Sequence, residues 1–433
     1  MLLMGAWIVS VAMRHLFENR DFARLFAGRV VTNVGDSLYA VAAMWLVYSL
    51  TGSTAYTGIA GFLTMGPQAL QVFFGPLVDR FPLRRVLVGT QLVQAVLVLS
   101  VPAAHLLGVL SVELVLVVMP LLSLLNQFVY PAQTAALPRL VDREDLTAAN
   151  SLFSLAYQGV DMAFNGLAGV LIALVGAVAL YAIDSITFLV AVACFLGVRV
   201  PPAERGVSGA DEQSGAVAAD GGESSYLADL KGGLRFVRHT PLLYFFGAGF
   251  VANALLGATF AVLPAFADAR GEAGTYGFLL AALSAGMLVG ALAANRVDGV
   301  PYGRLSIAGF GLSAALWFGA LLCPWTLGTV VLYGLAAVPI GATNVVGASL
   351  VQRLVPDDLL GRVSAASGSA STAIMPLGTL LGGLAGDAFS ATAVMWVGGL
   401  GFLWIVLYVA AVPTLRRMPA PVDATPYDRP TGV

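Results

Sequence analysis

The chain has 433 residues, of which 58% are hydrophobic and 11% are charged, and its formal net charge is −2. Soluble domains carry about 25% charged residues, so this composition excludes an ordinary soluble enzyme and indicates a protein that crosses a membrane many times. The sequence has no Gly-rich phosphate loop, Walker motif, metal-ligand cluster or nucleophile–His pair. We therefore predict no enzymatic activity, no metal and no cofactor.

Apolar runs of the length that a bilayer core requires, about 20 helical residues, recur twelve times along the chain. The first six are predicted at 24–50, 56–78, 84–108, 112–137, 147–174 and 177–198. The second six are predicted at 241–267, 274–295, 303–323, 327–352, 361–386 and 391–413. The expected fold class is therefore an all-α polytopic membrane protein with twelve transmembrane helices.

One long polar stretch, 199–231, divides the spans into six plus six. Its Gly, Ser, Ala and acidic residues are typical of a flexible linker. We divide the chain into an N-terminal six-helix bundle at 1–198, a cytoplasmic linker at 199–240, a C-terminal six-helix bundle at 241–413 and a cytoplasmic tail at 414–433.

The two halves also resemble each other in sequence. "LPRLVDREDLTAANS" at 137–151 precedes span five, and "VQRLVPDDLLGRVSA" at 351–365 precedes span eleven, with a shared Arg-Leu-Val followed by acidic residues. Two halves of equal span number and equal orientation form a parallel pseudo-repeat, which is one way in which transporters are built.

Basic residues lie almost entirely in the loops of one side. They precede span one, occupy every second loop and follow span twelve, whereas the opposite loops hold a single basic residue, Arg270. Basic loops stay on the cytoplasmic side. We therefore predict a multi-pass protein of the cell membrane with both termini in the cytoplasm.

Two carboxylates are predicted inside the spans of the N-terminal half. Asp36 shares one face of span one with Arg29 and Asn33, at spacings of three and four residues. Asp161 lies on a polar stripe of span five. A charged side chain at the bilayer centre costs about 2.5–3.5 kcal/mol, and those that persist usually face the bundle interior.

Asp36 and Asp161 are therefore the candidates for proton coupling, although either could instead stabilise helix packing through a hydrogen bond. For Asp184 in span six the packing role is favoured. No carboxylate is predicted near the middle of spans seven to twelve.

The stretch "GPLVDRFPLRR", Gly75 to Arg85, resembles the loop 2–3 signature G-x-x-x-D-R-x-G-R-R of the major facilitator superfamily. Gly75, Asp79, Arg80 and Arg84 match that signature, while Pro82 takes the place of its second Gly. "VGDSLYAVAAMWLVYSLTGS" and "LPRLVDREDLTAANSL" resemble the branch of the superfamily that contains macrolide-efflux and enterobactin-export proteins.

This resemblance implies a central cavity lined by spans one, four, five, seven, eight, ten and eleven. The polar residues that it places in the cavity are Arg29, Asn33, Asn126, Gln127, Tyr130, Tyr157, Gln158, Asn165, Asn253 and Asn344. It also implies a conformational latch between the halves on the cytoplasmic side, formed by Gly75, Asp79, Arg80 and Arg84; Arg-rich loops that serve topology alone are the alternative.

The function expected from these observations is proton-coupled export of a hydrophobic or amphipathic small molecule by alternating access. The expected partners are that substrate, protons and the lipid bilayer, with no nucleic acid, and the expected state is a monomer. A proton-independent facilitative carrier and a non-transporting membrane sensor are the alternatives.

Overall fold

The computed structural model describes residues 15–70, 81–201, 232–271 and 273–427. This part of the chain contains twelve long helices and no strand. In chain order the helices are α1 Arg20–Thr51, α2 Thr54–Met65, α3 Leu83–Leu106, α4 Val112–Ala136, α5 Leu146–Val175, α6 Ala177–Leu196, α7 Leu242–Asp268, α8 Ala273–Ala293, α9 Tyr302–Leu322, α10 Thr326–Leu354, α11 Asp357–Ala388 and α12 Ala391–Ala411. Each of them overlaps one of the twelve predicted spans.

Nine of these helices, within the described residues, are long and apolar enough to cross a bilayer unaided. Helix α5 qualifies as a pair of segments, Arg143–Asp161 and Gly166–Val175, that meet at an angle of 43°. Helix α2 continues as a 3₁₀ helix as far as Leu70, where the described chain is interrupted, and the described residues Ala373–Ala388 of α11 form a shorter apolar segment. The chain is therefore a multi-pass membrane protein.

The helices begin and end where the sequence offers capping groups. The Asn19 side chain accepts hydrogen bonds from the first backbone amides of α1, and Gly52 ends that helix in the left-handed conformation at φ 65°. Ser111 and Ser390 cap the first turns of α4 and α12 in the same way. Such caps satisfy backbone donors that the helix itself leaves unpaired.

The packing of helices in one half repeats in the other. Helix α1 packs on α5 and α6 as α7 packs on α11 and α12, and α3 packs on α4 and α6 as α9 packs on α10 and α12. The contact of α2 with α4 corresponds to that of α8 with α10. This correspondence at a shift of six helices is the parallel pseudo-repeat that the sequence predicts.

The most extensive contacts between the halves join α2 with α11 and α5 with α8, and α7 also contacts α1 and α2. Gly169 of α5 lies against Gly277 of α8 so closely that a Cβ atom on either residue would overlap the backbone of the other. In the second pair the Thr54 hydroxyl donates to the Gly383 carbonyl oxygen at 2.9 Å. Both contacts lie near the helix ends that point away from the chain termini, a side that we call the far side; the opposite side is the termini side.

The apolar core is divided in a way that reveals the shape of the molecule. On the far side a single cluster includes residues of both halves, among them Leu46, Phe266 and Tyr276. On the termini side the described residues form two separate clusters, one around Phe22 in the N-terminal half and one around Phe236 in the C-terminal half. The halves are therefore closed against each other on the far side and separated by a cleft on the termini side.

Two segments outside the spans pack on the C-terminal half. Residues 232–238, which the sequence analysis placed in the linker, form a helix that buries Phe236 and Val237. The tail after α12 returns to the ends of two helices, because the Tyr302 amide donates to the Pro419 carbonyl and the Tyr427 amide to the Leu354 carbonyl. The folded C-terminal half thus extends beyond the predicted 241–413 at both ends.

Candidate functional site

Asp161 links α5 to α1. Its Oδ1 atom accepts a hydrogen bond from the Ser37 hydroxyl at 2.7 Å and from the Asn33 side-chain amide at 3.1 Å. The side chain of Asp161 is exposed, as are the neighbouring Gln158 and Gly159. A carboxylate of the N-terminal half is therefore accessible and is held by two donors from a neighbouring helix.

Asp36 points away from this row and toward α4. The Asn126 amide lies within hydrogen-bonding reach of its carboxyl group, and Asn126 in turn accepts from the Gln94 side chain of α3 at 2.8 Å. Both Arg29 and Asp161 are near enough to interact with Asp36 electrostatically. The predicted pair of acids thus occupies one electrostatic environment, with Asp36 half-buried behind Asp161.

Arg29 is buried and neutral groups satisfy its guanidinium. Its Nε atom donates to Gln133 of α4 at 2.9 Å and lies 3.2 Å from the Tyr157 hydroxyl, while Nη1 donates to Thr32 at 3.2 Å. The Tyr157 hydroxyl also donates to Gln133. Arg29 therefore ties α1 to α4 and α5 on the termini side of Asp161.

Asp184 lies in a different place, between α6 and α1. Its Oδ1 atom accepts from the Thr187 hydroxyl at 3.1 Å and rests on the backbone of Gly35, where a larger residue would have no room. Its Oδ2 atom is buried without a hydrogen-bond partner among the described residues, and so are the hydroxyls of Tyr39 and Tyr181. Asp184 thus contacts α1, and its packing role stays a prediction.

Four further predicted residues line α4 and α5. Gln127 is buried and donates to the Ser123 carbonyl of its own helix at 3.0 Å. Tyr130 is exposed by 53%, on the same helix as Gln133. Gln158 is exposed beside Asp161, and the side chain of Asn165 lies outside the described residues.

Of the predicted latch, Gly75, Asp79 and Arg80 lie outside the described residues. Arg84, at the start of α3, donates to the Leu196 carbonyl at the end of α6. Arg24 donates to the next carbonyl, that of Gly197, at 2.7 Å. These two arginines satisfy backbone carbonyls at the C-terminal end of α6, a helix of their own half. The C-terminal end of a helix is a favourable position for cations.

The wall contributed by the C-terminal half differs from the acidic one. Asn253 and Asn344 border a cavity of about 550 Å³ enclosed by α7, α9, α10, α11 and α12. No Asp, Glu, Lys, Arg or His is among the described residues that line it. Asn253 donates to its own helix at the Gly249 carbonyl, 2.9 Å away, whereas Asn344 is exposed.

Three polar residues of the N-terminal site were missed in the sequence: Ser37, Gln94 and Gln133. Ser37 follows Asn33 by four residues, so the row 29, 33, 37 on α1 could have indicated it. The two glutamines give no comparable signal, because a lone Gln in an apolar helix can equally bond its own backbone. Among the described residues no group of three or more His, Cys, Asp or Glu could hold a metal ion.

Known proteins match this chain over most of its length. The sequence profile of the Major Facilitator Superfamily matches residues 25–373. The multidrug efflux pump Tap of Mycolicibacterium fortuitum is 29% identical over 92% of this chain and 95% of that protein. The enterobactin exporter EntS of Shigella boydii is 26% identical over 95% of this chain and 96% of that protein.

Among solved structures, a bacterial homologue of the human lysosomal transporter Spinster, in an inward-facing and unoccupied conformation, has the same fold. The TM-score is 0.66 at 12% identity, over 91% of this chain and 95% of that one.

Proposed function

Because this chain belongs to the Major Facilitator Superfamily, we propose that it is a proton-coupled exporter of hydrophobic or amphipathic small molecules that works by alternating access. It is a transporter by family, and its relatives include efflux pumps. The observation that carries the finer proposal is Asp161, an exposed carboxylate on the cleft wall whose two hydrogen-bond donors come from α1.

The geometry suggests how a proton could be linked to movement. Hydrogen bonds to an ionised carboxylate are about twice as strong as those between neutral groups. Protonation of Asp161, or a cationic group of the substrate beside it, weakens the Ser37 and Asn33 contacts and so loosens α1 from α5. A proton and a cationic substrate then compete for one carboxylate, which is the requirement for exchange transport.

Asp36 extends this competition inward. Because the carboxyl groups of Asp36 and Asp161 interact electrostatically, a negative charge on one disfavours a negative charge on the other. The Asn126–Gln94 pair and Arg29 supply the polar surroundings that such a second acid needs. In this proposal Asp161 exchanges a proton with the cleft, and Asp36 influences how readily that proton is exchanged.

The arrangement of the halves supports alternating access. The cleft opens on the termini side. In this proposal that side faces the cytoplasm, because basic loops stay on the cytoplasmic side of the cell membrane. Separation of the Gly169–Gly277 and Thr54–Gly383 contacts would open the far side. The monomer contains both halves, so the cycle requires no second copy.

The test is substrate-driven proton flux in proteoliposomes, with the aromatic cation ethidium as the probe. We expect ethidium movement to carry protons in the opposite direction, and we expect Asp161→Asn to abolish that proton flux because an amide takes up no proton. Asp36→Asn should reduce the flux and shift its dependence on pH.

Asp298→Asn is the matched control, since Asp298 is an exposed carboxylate in the loop between α8 and α9 and not in a span. Unchanged coupling in both Asp36→Asn and Asp161→Asn would contradict the assigned roles. Ethidium counterflow that ignores a pH gradient in the native protein would contradict proton coupling and favour a facilitative carrier.

A further inference from the structure

The cavity in the C-terminal half is a feature that the acidic site does not use. All of its described lining residues follow Phe245, so it is formed within one half and not by the approach of the two halves. Trp317 and Ser306 of α9 line it and are 3% and 1% exposed. A volume of about 550 Å³ lies within the range of pockets that hold drug-sized molecules.

Aromatic side chains pack the termini side of the N-terminal half. Phe22, Phe153 and Phe195 are buried there, and the Phe195 ring occupies the space above Gly28 of α1. In the C-terminal half, small residues take the lining positions of α7 and α10, among them Ala252 and Ala348. The N-terminal half also has a pocket, of about 280 Å³ between α3 and α4, so of these two spaces the larger lies in the C-terminal half.

The cavity wall also contains an unpaired polar group. The Ser306 hydroxyl is buried with no partner in hydrogen-bonding geometry among the described residues, although the Tyr302 hydroxyl is close enough to interact with it. Buried polar groups are normally satisfied. A ligand atom or a water in the cavity would supply the missing partner.

The lining and the opposite cleft wall differ in charge. The described lining is apolar apart from uncharged groups such as Asn253 and Thr343, whereas the N-terminal half presents Asp161. Asn344 and Gly368, on the lining of α10 and α11, are exposed and mark the open side of the cavity. An apolar body with one positive charge satisfies both walls.

We propose that the cavity between α7, α9, α10, α11 and α12 binds the apolar chain or ring system of an amphipathic cation, whose charged group lies against Asp161 of the other half. This inference rests on the proposed function for the identity of the ligand as an exported molecule. The apolar part of the ligand is then held by the cavity, which accounts for the uncharged residues around it.

Two glycines of the lining allow the cavity to be filled without disturbing the fold. A Cβ atom on Gly249 of α7 or Gly368 of α11 would meet no atom within 4 Å. Gly249→Leu and Gly368→Leu therefore place a side chain in the cavity and favour the helix. Gly361→Leu in α11 and Gly89→Leu in α3 are matched controls, because both positions are equally unobstructed and neither lines the cavity.

The measurement is equilibrium binding of n-alkyltrimethylammonium ions, from butyl to dodecyl, to the whole protein in nanodiscs. In the native protein we expect the dissociation constant to fall by about fourfold for each added methylene until the cavity is full. In Gly249→Leu and Gly368→Leu this gain should stop at a shorter chain, while the butyl ion binds as it does to the native protein. The controls should follow the native series.

Cavity-filling variants that bind the whole series like the native protein would overturn the proposal. So would a native affinity that is independent of chain length, the result expected if a lipid acyl chain already fills the cavity. Binding needs no proton gradient, so a chain-length effect without proton flux would contradict the proposed function alone. Proton flux with unaltered binding in the filled variants would contradict this inference alone.

Discussion

At the residue scale, the polar groups inside the membrane are of two kinds: charged residues, and the uncharged residues that form hydrogen bonds with them. Asp36, Asp161 and Arg29 could be found in the sequence, because a charged residue is conspicuous in an apolar run. Ser37 and Gln133, which bond them, could not be ranked above other Ser and Gln residues, since the choice between a backbone carbonyl and a distant side chain depends on helix packing. The sequence therefore predicts the acids of the site better than it predicts their partners.

The unpaired hydroxyl of Ser306 leads to a prediction about stability. Ser306→Ala removes a buried hydroxyl that has no partner in hydrogen-bonding geometry among the described residues, so we expect the free energy of unfolding to stay unchanged or to rise by up to about 1 kcal/mol. Ser313, on the same helix, is also buried, but its hydroxyl donates to the Ala336 carbonyl at 2.8 Å. Ser313→Ala should lower the free energy of unfolding by about 1 kcal/mol.

Thermal unfolding of the two variants in the same detergent measures this difference. The comparison is matched, because both residues lie in α9 and both lose the same atom. A Ser306→Ala variant that is destabilised as much as Ser313→Ala would show that the Ser306 hydroxyl is satisfied in solution, and the cavity would then lack its unpaired group.

At the scale of helices, the contact of Gly169 with Gly277 holds α5 and α8 at backbone distance. Gly169→Ala forces the helices apart, and overpacking of this kind costs about 1–3 kcal/mol. Because this contact belongs to the far-side closure, we expect the population to shift toward a state that is open on the far side. Spin labels at Leu174 and Leu327, two exposed residues at the far-side ends of α5 and α10, should report longer distances.

Gly159→Ala controls for the substitution itself, as it lies on the same helix with nothing within 4 Å of the added atom. Equal distance distributions in Gly169→Ala and Gly159→Ala would contradict the role of the glycine contact in closure. The sequence could not predict this contact, since Gly is frequent in every span and only the packing of α5 on α8 selects Gly169.

At the scale of the whole molecule, twelve spans and two equivalent halves were predictable because length, hydropathy and charge patterns act over many residues and average out local exceptions. The side on which the cleft opens was not predictable. It depends on which of several helix contacts is made at a given moment, and the same sequence has to support both arrangements. The cavity was likewise hidden, since it results from small residues on several helices meeting in space.

The orientation of the molecule can be tested with single cysteines in a background where Cys194 and Cys323 are replaced by Ala. A membrane-impermeant maleimide added to intact cells should label Leu107→Cys, in the loop after α3, and leave Arg143→Cys, in the loop before α5, unlabelled. The reason is that basic loops stay in the cytoplasm. Both residues are exposed, so access and not burial decides the result.

Permeabilised cells provide the control, because both cysteines should then react. Labelling of Arg143→Cys and not of Leu107→Cys on intact cells would reverse the assigned orientation. The cleft described here would then open to the exterior, and the far side would face the cytoplasm.

The apolar cluster on the far side, which both halves share, also holds the two halves together. Leu46 of one half and Phe266 of the other belong to the same apolar cluster, so the covalent connection through 202–231 is not what joins the halves. A protein cut in that segment should therefore copurify as two fragments and melt in one cooperative transition. The two halves could on this basis be expressed from separate genes and assemble in the membrane, as subunits of a heterodimer do.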